Sequence, residues 1–351
     1  MSDIRKQKKK LWLLPLGAAI IATAVAGVLI LRALQPVDTG EAADSDTVDR
    51  TTGTVLWYGK EYEYNDHLSN YLILGIDTRK KVETSAGQAD AGQADAIYLV
   101  SRDRVENTVT VISIPRDTMT EIETFTPGGE SLGKSRDHIS LSYAYGDGGH
   151  ESCRLAKEAV SNLFYGLPIQ GYCAVNMNGI SALVQSVGTV TVTVPNDSLE
   201  SEYPEFAEGA QVSLNEENIE IFVRYRDTDE RQSALARMAR QEEFIRALGE
   251  AVKALTIQDS GFAGKLYETM KPYMATSMGN DEFIKLMQSA SGGGAAEGWT
   301  VPGEPVDGQY YDEYHVDDEA LYEKIIETFY TEIVTTENGA TENGTIRGET
   351  P

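Results

Sequence analysis

The stretch YLILG at residues 71–75 reads as a β-strand, and two more of the same kind follow it, AIYLV at 96–100 and TVTVISI at 108–114. Each is a short apolar or β-branched run bounded by polar or turn-forming residues. Downstream the period changes. Glu151–Tyr165 sets Leu155, Ala159, Val160 and Leu163 on one helical face before Gly166 and Pro168 end it. Residues 172–177 return as a strand, 179–187 as a helix, and 188–194 (GTVTVTV) as another strand. Strands interleaved with helices predict an α/β fold, a mixed β-sheet flanked by helices in an α-β-α sandwich. Farther on, helices are predicted around 261–273 and 281–290, a glycine-rich surface loop at 291–297, a short strand at 299–301 and a final amphipathic helix at 320–333.

Working outward, the N-terminus carries Arg5, Lys6, Lys8, Lys9 and Lys10 ahead of an uncharged run from Leu11 to Leu31 that Arg32 closes. About 20 such residues cross a bilayer as one helix. The basic cluster keeps residues 1–10 in the cytoplasm and places the rest of the chain outside the cell membrane. A cleaved signal peptide competes with this reading. Cutting among Ala22, Ala24 and Ala26 would, however, leave Val28–Leu31 and Leu34 on the new terminus, so an uncleaved single-pass anchor is expected. Residues 32–66 are expected to be an extracellular stalk, with a short strand near Thr54–Tyr58. Residues 67–334 form one large domain, and 335–351 a polar tail without order.

The 351 residues carry a formal net charge of −25, which excludes nucleic-acid binding through a general electrostatic field. Only two cysteines occur, Cys153 and Cys173, one on a predicted helix and the other on the strand that follows it; outside the membrane a disulfide is chemically permitted and they are expected to lie close enough to bridge, two buried thiols being the alternative. The four histidines show no zinc-site spacing.

Against this acidity stands RYRDTDERQSALARMARQ at residues 224–241. In an extended segment Arg224 and Arg226 would point the same way. From Arg231 to Leu255 the apolar residues recur at helical spacing and put Arg237, Arg240 and Gln241 on one face. Guanidinium forks gathered in this way suit a pyrophosphate. Ordinary ion pairs with Asp227, Asp229, Glu230, Glu242 and Glu243 are the competing account of the same spacing. Three strands also end in charge: Asp77 and Arg79 follow the first, Asp95 precedes the second, and Arg116 and Asp117 follow the third. Ligand sites of helix-flanked sheets lie at such strand ends.

The combination LGIDTR (74–79), QAD ahead of a strand, SIPRDT (113–118), ISLSYAYGDG (139–148), GTVTVTVP (188–195), VRYRDTD (223–229) and RMARQ (237–241) resembles the LytR-CpsA-Psr family of Gram-positive cell walls. The resemblance implies a membrane-anchored extracellular phosphotransferase. Such an enzyme moves a glycopolymer from an undecaprenyl-pyrophosphate carrier to peptidoglycan, at the muramic acid 6-hydroxyl, through a phosphodiester. It further implies that Arg116, Arg224, Arg226, Arg237 and Arg240, with Gln241, hold the pyrophosphate and that Asp77 and Asp95 hold magnesium. Arg116, Asp117, Arg224 and Arg226 are the catalytic candidates, with Asp117 and Asp229 as alternatives for the base. Two positions depart from the family pattern: Gln93 stands where an arginine is usual and His138 where a lysine is usual. Arg79 could compensate for Gln93 as a further pyrophosphate ligand. A different class of function stays open beside the enzyme, a non-catalytic surface protein that binds prenyl-linked wall polymer.

Overall fold

The N-terminal hairpin, β1 (Val55–Trp57) and β2 (Lys60–Tyr64), leads into the three quoted stretches. These are β3 (Leu68–Ile76), β4 (Ala94–Asp103) and β5 (Val109–Ile114), paired antiparallel in succession. A hairpin of β6 (Met119–Phe125) and β7 (Ser131–His138) precedes α1 (Leu141–Ala144) and α2 (His150–Leu163). From α2 the chain returns as β8 (Gly171–Asn176), parallel to β3. Then follow α3 (Asn178–Val187) and a ribbon of β9 (Val190–Thr193) with β10 (Gln211–Leu214). The arginine stretch spans the end of α4 (Ile219–Arg224) and the start of α5 (Ser233–Gln258).

After α6 (Phe262–Met270), β11 (Met274–Thr276) pairs with β8; after α7 (Asn280–Gly292), β12 (Trp299–Thr300) runs parallel to β5. The central sheet therefore has six strands in the order β11-β8-β3-β4-β5-β12. A second hairpin, β13 (Gly303–Asp307) and β14 (Asp312–Val316), precedes α8 (Asp318–Phe329). The last described strands are β15 (Tyr330–Thr335), which pairs with β2, and β16 (Thr341–Asn343), which pairs with β15. This computed structural model describes residues 54–79, 84–87, 89–227, 233–292, 298–309, 311–335 and 341–343. The expected basic segment 1–10, the anchor at 11–31 and the start of the stalk lie outside these residues, as do Asp229, Glu230 and Arg231. Among the described residues no helix is long and apolar enough to cross a membrane.

Both faces of the sheet are covered, which gives the α-β-α layering. Alternate residues of each central strand enter opposite cores. Tyr71, Ile73, Tyr98, Val100, Cys173 and Val175 pack under α3, α5, α6 and α7. Leu72, Leu74, Ile97, Leu99 and Ala174 pack under α2 and α8. A strand covered on both sides has no polar face to show, hence the unbroken apolar runs.

Several elements differ from the sequence reading. The strand at 188–194 forms in part but lies outside the central sheet: Val190 and Val192 are buried while Thr191 and Thr193 face solvent, a one-sided pattern that suits an outlying ribbon. Arg224 is not in an extended segment. Ile219, Phe222 and Val223 recur at i, i+3 and i+4 and bury one face of a helix, which carries Arg224 as its last residue. The helix expected to run to Ile333 stops at Phe329, because β2 offers an open edge to the β-branched run that follows. Within the expected stalk, 55–57 form the short strand expected near Thr54–Tyr58, whereas 60–64 and, in the expected tail, 341–343 are further strands of this same edge sheet. Cys153 and Cys173 are unpaired thiols. Cys153 sits in the core under α2 and Cys173 in the core on the other face of the sheet, so strand β8 stands between them.

Candidate functional site

The antiparallel pairing of β3 with β4 and β4 with β5 brings the end of β3, the start of β4 and the end of β5 to one end of the sheet. Asp77, Asp95, Arg116 and Asp117 are carried there by backbone register alone. Asp95 lies within β4, and its side chain is 1% exposed. Arg116 reaches it through Nη1, donates from Nε to Asp117 Oδ1 at 3.1 Å, and donates from Nη2 to Gln93 Oε1 at 2.6 Å. Arg237 enters from α5 and points Nη1 at Asp95 Oδ2, 3.4 Å away. Two guanidinium groups thus share one buried carboxylate. Burial, against the pull of Asp117 and with Arg237 and Arg226 close by, brings Arg116 down to about 10. Arg237 is lowered too, chiefly by burial.

Asp77 accepts from the Gln93 backbone N–H at 2.7 Å. Its pKa is raised by burial against the pull of that hydrogen bond and of Arg116, Arg224 and Arg237. The turn that approaches it needs Gly92, at φ +87°, since a Cβ there would meet Asp77 Oδ1 at 2.7 Å.

On the rim, Glu220 gathers Arg79, at 2.9 and 2.6 Å, and Arg224, at 2.6 Å. Arg226 donates to Ser233 Oγ at 2.8 Å and to Asp312 Oδ2 at 3.1 Å. Asp312 belongs to the β13–β14 hairpin, which docks on the site through Tyr314 N–H to Asp117 O at 2.8 Å. His138 contacts the same hairpin, with Nε2 3.0 Å from Asp312 O. Asp95, Arg116, Asp117, Arg237 and Gln241 form the polar wall of a small cavity of about 30 Å³ whose other wall includes Ile97, Ile114, Leu235 and Met238. Tyr98 also lines it, fully buried, and its hydroxyl has no hydrogen-bond partner among the described residues.

Arg240 and Gln241 do different work. Arg240 donates to Phe222 O at 2.7 Å and also to Tyr225 O and Ser198 Oγ; Gln241 Nε2 donates to Val223 O at 3.0 Å. These carbonyls close α4, where a helix lacks its own donors. The pair therefore fixes the helix end that presents Arg224 and Arg226. The ordinary helix-face pairing with Glu242 and Glu243 is not what engages Arg237 and Arg240; Glu243 holds Arg246 and the Thr193 N–H instead.

The sequence reading did not single out Glu220, Tyr98 or Asp312. Glu220 stands at i−4 from Arg224 and was legible once 219–224 is seen as a helix. No local signal marks Asp312, which reaches Arg226 from a hairpin late in the chain.

The carboxylates Asp77 and Asp95 have the hard oxygen chemistry that magnesium takes. Asp77 Oδ1 is held by the Gln93 N–H and both Asp95 oxygens by arginines, so an incoming cation would take Asp95 only as those arginines turn to an anion. Among the described residues no group of three or more acidic, histidine or cysteine side chains is arranged for a metal. A cation held by these two aspartates would therefore complete its shell with water and ligand oxygens, as magnesium does.

The fold is an α-β-α domain with carboxylates and arginines interlocked at one end of its sheet. The chain belongs to the LytR_cpsA_psr family, whose model matches residues 37–328. Among its relatives, the polyisoprenyl-teichoic acid–peptidoglycan teichoic acid transferase TagV of Bacillus subtilis (strain 168) is 26% identical over 231 residues, 62% of this chain and 55% of that protein. The transferase TagU of the same strain is 26% identical over 223 residues, 63% of each chain. The chain thus spans less than two thirds of the length of these relatives. The crystal structure of B. subtilis TagV shares the fold with a TM-score of 0.56 at 21% identity, covering 75% of this chain and 97% of that one. Protein gbs0355 of Streptococcus agalactiae does so with 0.56 at 19%, covering 76% and 91%.

Proposed function

We propose that this chain is a membrane-anchored extracellular phosphotransferase that takes a glycopolymer from an undecaprenyl-pyrophosphate carrier and joins it to peptidoglycan through a phosphodiester. The observation that carries the reading is the sharing of buried Asp95 by Arg116 and Arg237 beside a cavity. Guanidinium groups so desolvated gain most from an anion with several oxygens, and a pyrophosphate offers enough to engage Arg116, Arg237, Arg224 and Arg226 together. Related chains named as polyisoprenyl-teichoic acid transferases support the same class of substrate.

Phosphoryl transfer asks the protein for position and charge neutralisation more than for covalent help. In the proposed reaction the acceptor hydroxyl oxygen bonds to the sugar-linked phosphorus, the bond from that phosphorus to the bridging oxygen breaks, and prenyl phosphate leaves. Arg116 and Arg237 hold the oxygens that gather charge, while Arg224 and Arg226 fix the group from the rim. Asp117, on the cavity wall beside Arg116, takes the hydroxyl proton. Magnesium, when bound at Asp77 and Asp95, would neutralise phosphate charge. The helix proposed at 11–31 keeps the domain at the membrane where that carrier lies.

The test is incubation of the purified chain with a prenyl-pyrophosphate saccharide, magnesium and peptidoglycan fragments, with mass spectrometry of the products. A phosphodiester-linked glycan is expected. Tight carrier binding with no transfer would replace the enzyme by a scaffold.

A further inference from the structure

Away from the strand ends, four aromatic rings form a surface row, Tyr58 and Tyr165 exposed and Trp57 and Tyr322 half-buried, with successive rings tilted or edge-on to one another. Tyr58, in the β1–β2 turn, contacts Trp57 at 4.5 Å between ring centroids; Trp57 contacts Tyr322 of α8 at 4.8 Å; and Tyr322 contacts Tyr165, beyond the end of α2, at 5.1 Å. Tyr58 is 73% and Tyr165 53% exposed. Burial therefore does not account for them.

Their backbones are unusual as well. Tyr58 has φ 46° and Tyr165 φ 55°, and each is followed by a glycine with positive φ, Gly59 and Gly166. Such turns suit Asn or Gly, and a bulky residue in the left-handed region is strained. Two of the four described non-glycine residues with positive φ fall in this one row. Strain kept in an exposed place points to use of the side chain it presents.

The rim of the row is acidic. Tyr58 Oη donates to Glu319 Oε1 at 3.0 Å and Tyr165 Oη to Asp318 Oδ1 at 3.4 Å. Exposed Glu323 lies beside Tyr58. The lysines of the same elements, Lys60 and Lys324, are held by Glu332 and Glu327. Such a rim repels phosphate-bearing polymers and anionic lipid headgroups, while its carboxylates retain acceptor positions for hydroxyl groups.

We infer that this row is a docking site for an uncharged glycan strand, with sugar rings stacked on Trp57, Tyr58, Tyr165 and Tyr322 and sugar hydroxyls donating to Asp318 and Glu319. That the strand is the peptidoglycan acceptor rests on the proposed transferase reading; the row itself does not. Its use would be to hold a long acceptor while the distant site reacts with one of its hydroxyls.

The test uses the full chain in a non-glycosidic detergent, titrated calorimetrically with chitotetraose, an uncharged oligomer of N-acetylglucosamine. Asn fits positive φ, so the double variant Tyr58→Asn/Tyr165→Asn removes two rings while relieving strain. We expect chitotetraose to bind the unaltered chain and the double variant to bind it about tenfold more weakly, with a Tm equal or higher. Equal binding by the two proteins, or no binding by the unaltered chain, overturns the inference. So does a row whose loss instead weakens binding to phosphatidylglycerol vesicles or dissociates a dimer of the chain. Transfer measured with a short acceptor does not need the row, so its failure would count against the transferase reading alone.

Discussion

Arg226 and Arg240 carry the same guanidinium to different places. Arg226 is on the rim with Ser233 and Asp312, and Arg226→Lys keeps the charge while losing the fork. The expected loss is about 1–3 kcal/mol of transition-state binding, read as a fall in kcat/KM with unchanged Tm. At the aspartates proposed to hold magnesium the cleaner variant is Asp77→Asn. Asp95→Asn would leave two buried arginines facing one another and cost about 3–5 kcal/mol of stability, so an activity loss there would be ambiguous. The sign for Asp77 is opposite. Its folded pKa is raised above 3.8 by burial, so the folded state holds its proton more tightly, and the stability this contributes falls as pH rises through and above that value. Asp77→Asn should therefore have a Tm at neutral pH equal to or above that of the parent while magnesium-dependent transfer is lost; a large drop in Tm would contradict this. Asp77, Asp95, Arg116 and Asp117 were legible because strand ends and charges stand together in the sequence. Their mutual pairing was not, since it depends on the register between strands.

Helix α4 shows how an element, more than a residue, builds the rim. Its closing carbonyls are satisfied by Arg240 and Gln241, reaching over from α5. Gln241→Leu should leave Val223 O without its side-chain donor and cost about 1–3 kcal/mol, seen in chemical denaturation. Activity should fall with it, as Arg224 and Arg226 lose their mounting; loss of activity at unchanged stability would instead assign Gln241 a direct contact with substrate. The elements that sequence made legible are those with one strong period: β3, β4 and β8, buried on both faces, and α2 with its single apolar stripe. The hairpins β6–β7 and β13–β14 escaped because they are largely polar and partly exposed and gain their partners from distant chain. The RYRD segment misled for a related reason: alternating arginines imitate a strand, while the helix is set by Ile219, Phe222 and Val223 upstream.

Across the whole molecule, an acidic chain pairs the arginines of the candidate site with carboxylates, Arg116 and Arg237 with Asp95, Arg224 with Glu220 and Arg226 with Asp312. The layers around the sheet also decide the thiol chemistry. Cys153 and Cys173 lie in opposite cores, and burial pushes Cys173 up to about 12, so neither is poised to oxidise. The native protein should resist alkylation and the denatured protein should take up label at both cysteines without prior reduction; a peptide linked through the two would contradict this. Topology gives a further expectation: protease added to intact spheroplasts should remove nearly all of the chain, and full protection would contradict an extracellular domain. The central claim is that the interlocked arginines and aspartates transfer a pyrophosphate-linked glycopolymer. Its most direct measurement is the rate at which the purified chain, Arg226→Lys and Asp77→Asn form phosphodiester-linked glycan from a prenyl-pyrophosphate saccharide and peptidoglycan fragments. The account predicts magnesium-dependent product from the unaltered chain, a loss of about fivefold or more in folded Arg226→Lys and loss of magnesium-dependent transfer in folded Asp77→Asn. Full transfer by both variants, or none by the unaltered chain with its carrier bound, would contradict it.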